Sequence, residues 1–387
     1  MDDSKFTVST TIAAASVTLK PGVMVGRGVT RAARSFLLVL LLGGCAGYGP
    51  LVLDRDRVDY GVALSESTKQ QTLLNIVRIR YGDIPTFVNV EQIVSSYQLQ
   101  GNAGVSVGPN PITGFPVPSE TGGVSFTDRP TMTFSPVTGA LLEGSFVRPL
   151  APREVLILAE NGMWIDVLFR LTVQSIGGLI NAGRLQTSFT TQGELQVGSP
   201  EFFELCTDLR TLQEGGALSF RFTIGKDGSH VFLSILNGRD GALAAVSART
   251  RTLLGIGPGE VEVVYGRVAQ GPHQLAMLTR SFIGIMTAVS AFIDVPDSDV
   301  EERRALPSPR NATSGERPVV IVRTSASQPQ SRDVAAEVQY RGRWFWVDDT
   351  DFESKDAFRT LLLLMQLAEG GADVTKAPVL TIPASVQ

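Results

Sequence analysis

Histidine, cysteine and tryptophan are scarce in this chain of 387 residues, which holds two, two and three of them. Each scarcity closes off a class of function. His230 and His273 are the only imidazoles, and neither stands at i, i+4 from another ligand, so a His/Cys zinc site has no ligand set. Cys45 and Cys206 are the only thiols. If Cys45 is consumed as argued below, no intramolecular disulfide is left, and a chain this long can bury a sizeable core without one. Phosphate-binding Gly-Lys-Ser/Thr is missing, and Gly255-Ile-Gly-Pro-Gly259 leads into a strand rather than a helix, which makes it a turn. Nor is there an apolar run near the roughly 20 residues that a membrane-crossing helix needs.

Charge is also low. Lys, Arg, Asp and Glu make up 19% of the chain and the net charge is −4. Residues 1–44 carry Lys5, Lys20, Arg27, Arg31 and Arg34 against Asp2 and Asp3, a net of +3, which leaves −7 for the rest. An acidic body is a poor partner for nucleic acid, whose binding relies on Lys and Arg displacing counterions. With hydrophobic residues at 43%, the composition is that of a folded globular protein.

What is present begins near Met24. Arg27, Arg31 and Arg34 precede the apolar run Phe36–Leu42, and small residues lead from it into Cys45. That order is the layout of a secretory signal, in which the positive end stays cytoplasmic while the apolar run enters the translocon. Residues 1–23 add length that no signal needs, so translation is expected to start at Met24.

Leu42-Gly43-Gly44-Cys45 resembles the lipobox of bacterial lipoproteins, a resemblance covering Met24 to about Gly47. It implies that the Cys45 thiol receives a diacylglycerol, that the chain is cut before it, and that the new amino terminus is acylated. Ala46 follows where an Asp would signal inner-membrane retention, which implies the outer membrane with the body in the periplasm. Several acyl chains anchor stably where one does so only marginally.

Beyond the signal region at 1–44, residues 45–62 read as a lipidated tether without periodicity. The main body is expected over 63–294, a linker or mobile loop over 295–318, and a C-terminal ββαβ segment over 319–387. Apolar spacing predicts helices at 65–81, at 164–180 in a helical region starting near Pro152, from Pro200 through a stripe of Phe202, Leu205, Leu209 and Leu212, and at 239–254, 272–293 and 354–369. Ser199-Pro200 opens the third of these as cap and first turn. Strands are expected at 86–94, 261–268, 319–323 and 379–382. Hairpins are expected at 218–235 and at 334–347, the latter turning at Arg341-Gly342. Residues 95–136 read as a long amphipathic hairpin whose loop spans the Pro- and Gly-rich 108–123. Irregular alternation of helices with adjacent hairpins predicts an α+β fold.

The remaining chemistry favours structural roles. His230 at a strand start and His273 after Pro272 read as surface or capping residues. Cys206, between Phe202 and Leu209 on an apolar stripe, reads as a buried, inert thiol. Asp349-x-Asp351-x-Glu353 begins like a calcium loop, yet Ser354 and Thr360 stand where glycine and glutamate are needed. With Asp348 and Asp356, these carboxylates read instead as complements to the dipole of the following helix. Trp344, Phe345 and Trp346 could stack on a sugar, but the packing reading, against the Leu361–Leu364 helix, outweighs it. Each strand of the 95–136 hairpin approaches the ~9–11 residues of a membrane β-strand. Asp128, Arg129 and Pro130 interrupt the second strand, so a soluble, half-buried hairpin is the preferred reading.

Three further stretches resemble a group of proteobacterial outer-membrane lipoproteins without an assigned activity. They are Leu73-Leu-Asn-Ile-Val-Arg-Ile-Arg-Tyr81, Arg129-Pro-Thr-Met-Thr-Phe-Ser-Pro136, and Tyr340-Arg-Gly-Arg-Trp-Phe-Trp-Val347 with Ser354-Lys355. The resemblance implies an anchor and one body, and it transfers no active site. The expectation is a non-enzymatic lipoprotein that binds or scaffolds partners, with acylated Cys45 in membrane lipid and envelope proteins or further copies as partners. No catalytic residue, metal or cofactor is expected. The alternatives are an oligomeric outer-membrane pore or export accessory using the 95–136 hairpin, and an envelope-polymer enzyme, for which no constellation exists.

Overall fold

The computed structural model describes residues 48–94, 97–109, 116–128, 131–181, 184–185, 195–196, 198–226, 228–238, 240–305 and 317–370. The fold is α+β. The chain divides into two compact units, Met1–Leu64 and Ser65–Gln387. Helix α1 runs Tyr48–Arg80, where a tether followed by a helix at 65–81 was expected. Pro50 falls in its first turn, where a missing N–H costs nothing. Residues 57–64 are exposed apart from the half-buried Tyr60. Apolar periodicity marks a buried face, so a helix stretch that buries none leaves no period to read. Further along, Leu73, Ile76 and Val77 are fully buried at helical spacing, and Gly82, at φ +75°, ends the run. Buried Asn75 then pins the exit. Its amide donates to the Thr86 carbonyl (2.8 Å) and its oxygen accepts from the Thr86 amide (3.0 Å).

The next strands form a two-stranded ribbon. β1 (Val88–Val94) and β2 (Tyr97–Pro109) make up one arm; β3 (Pro116–Asp128) and β4 (Thr131–Pro136) return along it. β1 pairs with β4, from Val88↔Pro136 to Val94↔Thr131, and β2 with β3, from Tyr97↔Asp128 to Pro109↔Pro116. Pairing therefore reaches well into the segment expected to be loop. Each strand of a ribbon has one unpaired edge, and that edge tolerates the prolines that a central strand would reject.

A one-turn helix α2 (Gly139–Leu142) and a π-helical turn (Glu143–Val147) lead to α3 (Pro152–Glu160), α4 (Ile165–Thr172), β5 (Val173–Ile176) and β6 (Leu179–Ile180). The helix expected over 164–180 thus breaks at Thr172. Its second half is strand, with Val173 and Ile176 buried three apart, a spacing that fits a helix as well. Ending α4 there orphans its last carbonyls. Arg280 donates to the carbonyls of Arg170 and Leu171 (both 3.0 Å), and the Asn181 amide to those of Arg170 (2.9 Å) and Val173 (2.7 Å). Both of these polar residues are buried for that reason.

After a two-residue ladder of β7 (Arg184–Leu185) with β8 (Leu195–Gln196) comes α5 (Pro200–Glu214). Its stripe of Phe202, Leu205, Leu209 and Leu212 is buried as expected. The Ser199 hydroxyl, however, bonds to Ile180 on both backbone groups instead of capping the helix. The hairpin β9 (Leu218–Gly225) with β10 (Gly228–Ile235) follows, then α6 (Gly241–Leu254), capped by Asp240, and β11 (Glu260–Tyr265). The helix expected over 272–293 resolves into β12 (Gln274–Thr279) and α7 (Phe282–Ser290), which Ser281 caps through the Gly284 amide (3.1 Å).

The resulting six-stranded sheet runs β6-β5-β12-β11-β10-β9, antiparallel except for the β11/β12 pair. Helices α3, α4 and α5 cover one face, and the core between holds Leu156, Leu168, Phe202, Leu233 and Met277. A second core joins the end of α1 to α7 and the C-terminal elements. In it Phe146 stacks on Phe87 at 4.2 Å and meets Phe282 edge-on at 5.4 Å.

Within the expected linker, α8 (Asp297–Glu301) forms a short helix and Val295 is buried; residues 306–316 lie outside the described residues. A three-stranded sheet β13-β15-β14 is built from β13 (Arg323–Ser325), β14 (Val334–Tyr340) and β15 (Arg343–Asp348). Its tight turn has Arg341 at φ +48° and Gly342 at φ +76°, the left-handed pair that a two-residue hairpin loop needs. Helix α9 (Phe352–Gly370) packs on it. The strand expected at 379–382 lies outside the described residues.

Candidate functional site

Cys45, the expected lipidation site, lies outside the described residues. Two of the three stretches that carry the family resemblance come together in space. Tyr81, at the end of the first, is buried and packs against Tyr340 (5.5 Å) and edge-on to Phe345 (6.2 Å) from the third. Its hydroxyl donates to Asp299 Oδ2 at 2.7 Å. Burial and that bond together raise the Tyr81 pKa well above its ordinary value. Asp83 accepts from the Tyr340 hydroxyl and pairs with Arg341 at 3.1 Å, and the Arg341 guanidinium lies 5.2 Å from the Tyr81 ring. Arg80 is buried beside them, and desolvation lowers its pKa to about 10 against smaller opposing effects of Tyr81 and Asp294. This is a latch between α1 and the β14–β15 turn. Its partners are more than 200 positions apart in sequence, so no local spacing could announce them.

The residues singled out from the sequence are otherwise dispersed. His230 lies within β10 on the sheet face away from the helices, with Nδ1 2.6 Å from Glu262 Oε1; Gln274 donates to Glu262 Oε2 at 3.1 Å. His273 is exposed and precedes a strand, not a helix. Cys206 is buried among Phe202, Leu205 and Leu209 on α5.

The carboxylates at 348–356 are engaged in pairs. Asp348 meets Arg323, Asp349 meets Lys355, Asp351 and Glu353 share Arg317, and Asp356 meets Arg359. Asp351 caps α9 by accepting from the Ser354 hydroxyl at 2.8 Å and amide at 3.3 Å. Burial by itself would raise the Asp351 pKa, and the bonds from Ser354 and Arg317 outweigh it and hold the pKa below the usual value. The Thr350 hydroxyl and amide, with Arg323, lower that of Asp348 against its own desolvation. Among the described residues no three His, Cys, Asp or Glu side chains gather as a metal ion would require.

The aromatic triplet splits by strand parity. Phe345 is fully buried against Leu361 and Leu364, as expected. Trp344 and Trp346 lie half-buried on the opposite face, so packing on α9 does not account for them. Ser325 and Gln339 flank the first, Arg323 and Glu337 the second.

Gly104-Val105-Ser106-Val107-Gly108 matches the hydrolase pattern Gly-x-Ser-x-Gly, but it lies inside β2 with Ser106 paired to Ser119. That pattern activates serine only at a sharp strand-to-helix turn, so no nucleophile elbow is formed. A cavity of about 20 Å³ beside Arg170, Asn181 and Arg280 has room for no more than a water.

The ribbon is the feature that the body does not absorb. β2 and β3 join neither larger sheet, and among the described elements no helix or other strand packs along them. At its base, Met132 and Phe134 of β4 are exposed. Among the described residues no helix is long and apolar enough to cross a membrane, which leaves a β-hairpin untouched as a question. No protein-family model, curated protein or solved structure matches the chain.

Proposed function

We propose that the chain is a lipoprotein anchored in the outer membrane through acylated Cys45, with its body in the periplasm, and that it works by binding or scaffolding rather than by catalysis. One observation carries the anchor: Arg27, Arg31 and Arg34, the Phe36–Leu42 run and Leu42-Gly43-Gly44-Cys45 stand in the order that export and lipidation require. Several acyl chains on one residue anchor stably where a single chain holds only marginally. Support for a binding role is the use to which reactive groups are put. Asp351 caps a helix, Asp83 and Asp299 tie the latch, and Cys206 fills a core. Envelope proteins, or further copies of the chain, are the partners this reading implies.

The test is fractionation. Wild type is expected in the detergent-extractable membrane fraction, and Cys45→Ser in the soluble or precursor fraction. Identical membrane retention of both would overturn the anchor.

A further inference from the structure

We infer that the β2–β3 ribbon enters a lipid bilayer, with copies of this chain contributing neighbouring hairpins to one closed barrel. Pairing fixes which residues share a face, because directly opposed residues of antiparallel strands lie on the same side. One set of register positions holds Leu99↔Phe126, Gly101↔Val124 and Ala103↔Gly122. The alternate set holds Gln98↔Thr127, Gln100↔Ser125, Asn102↔Gly123 and Gly104↔Thr121. One face is thus apolar or small, and the other is polar but uncharged. A membrane strand facing acyl chains on one side and a water-filled lumen on the other has that composition.

Charge placement gives the depth. Charged residues form 19% of the whole chain, yet Glu120 is the single charge between Glu91 and Asp128. Both acids stand on the apolar set, Asp128 opposite Tyr97 and Glu120 opposite Val105. The eight residue steps between them span about 27 Å at ~3.4 Å per residue. At the ~40° tilt of membrane barrels this is about 21 Å along the normal, near the ~25 Å height of their apolar band. The two carboxylates therefore bracket a neutral band of membrane height, with Tyr97 at the boundary where aromatic girdles occur. The Asp128-Arg129-Pro130 interruption then falls outside the band, not within a spanning strand.

Oligomerisation follows from the backbone. Each ribbon edge carries unpaired N–H and C=O groups, which hydrocarbon does not tolerate, so a lone hairpin cannot insert. Edge-to-edge pairing between copies removes both edges. Small barrels have about eight strands, which sets a minimum of about four copies.

The inference deepens the proposed envelope role but does not depend on acylation of Cys45. It is tested on the full chain, reconstituted into phosphatidylcholine–phosphatidylglycerol vesicles, with an environment-sensitive dye placed singly through Leu99→Cys, Val124→Cys, Gln100→Cys or Ser125→Cys. The unsubstituted chain reports background labelling. Dyes at 99 and 124 are expected to lose most of their emission to quenchers carried on lipid tails and little to iodide. Dyes at 100 and 125 should show the reverse, and the vesicles should leak a trapped fluorophore. Equal quenching at all four positions overturns the inference. So does parity without lipid quenching, which marks a protein–protein seam instead. Repeating the experiment in Cys45→Ser separates the two readings. Retained parity with lost lipidation leaves the ribbon standing without the anchor, and lipid-dependent retention without parity leaves the anchor standing without the ribbon.

Discussion

Two hairpins in this chain carry the same alternating signature and end in different surroundings. In β9–β10, the apolar set of Phe220, Val231, Leu233 and Ile235 is buried under helices, and the other face bears charge. Arg221 grips Glu260 with two nitrogens, at 2.6 and 3.0 Å, and lies 4.1 Å over the Phe232 ring. In β2–β3 the alternation is equally regular, but among the described elements no third strand or helix joins it, and the polar set is neutral. Alternation alone reports a two-faced strand. What lies against the apolar face separates the two: helices cover that of β9–β10, and among the described elements none packs along that of β2–β3.

The sharpest way to break this comparison is to truncate one leucine in each hairpin. Leu233→Ala should cost about 2–5 kcal/mol in denaturant unfolding, because it opens a cavity in the core. Leu99→Ala should change the stability of the body by less than about 0.5 kcal/mol. A large loss at Leu99 would show that the body covers the ribbon after all. The end of α1 extends the test, since the Tyr81 hydroxyl bonds to Asp299 of α8. Tyr81→Phe should cost about 1.5–3 kcal/mol, the worth of a hydrogen bond to a charged group, read by the same titration. Asp351→Ala should cost about 0.5–2 kcal/mol through the lost α9 cap.

That last effect has a definite pH dependence. The Asp348 and Asp351 pKa values are depressed in the folded state, so their contribution is complete above the ordinary carboxylate range near 4 and is lost below it, as pH falls through the depressed folded-state values. The gap in stability between wild type and Asp351→Asn at pH 7 should narrow as pH falls below the ordinary carboxylate range, and a constant gap would contradict the assignment. The smallest effect belongs to the exposed Arg221–Glu260 pair. Arg221→Ala should produce only a slight midpoint change, shrinking further in high salt.

Much of the fold was legible where burial imprints a period. The α5 stripe, both compact hairpins and the Arg341-Gly342 turn follow directly from apolar spacing and turn chemistry. Legibility failed where burial is total or nil. Val173 and Ile176 are buried three apart across half-buried Gln174 and Ser175, and Leu275–Leu278 is a short apolar run; both fit a helix as well as a strand. Residues 57–64 of α1 are exposed apart from Tyr60 and so print no pattern. Strand β3 reaches into the loop expected at 108–123, because Pro and Gly do not break a ribbon whose free edges accept them. The latch was invisible for a different reason: Tyr81, Asp299 and Tyr340 meet only through the tertiary fold. Neighbouring residues in sequence can signal a cap or a turn, but not a partner two hundred positions away.

Lipidation of Cys45 decides between a membrane-anchored protein and a free one, and weighing the protein tests it most directly. Intact mass spectrometry of the chain extracted from membranes in detergent should give a species starting at Cys45, heavier than its amino-acid sequence by a diacylglycerol and one further acyl chain. A species with the bare polypeptide mass, or one that retains the residues before Cys45, would contradict it.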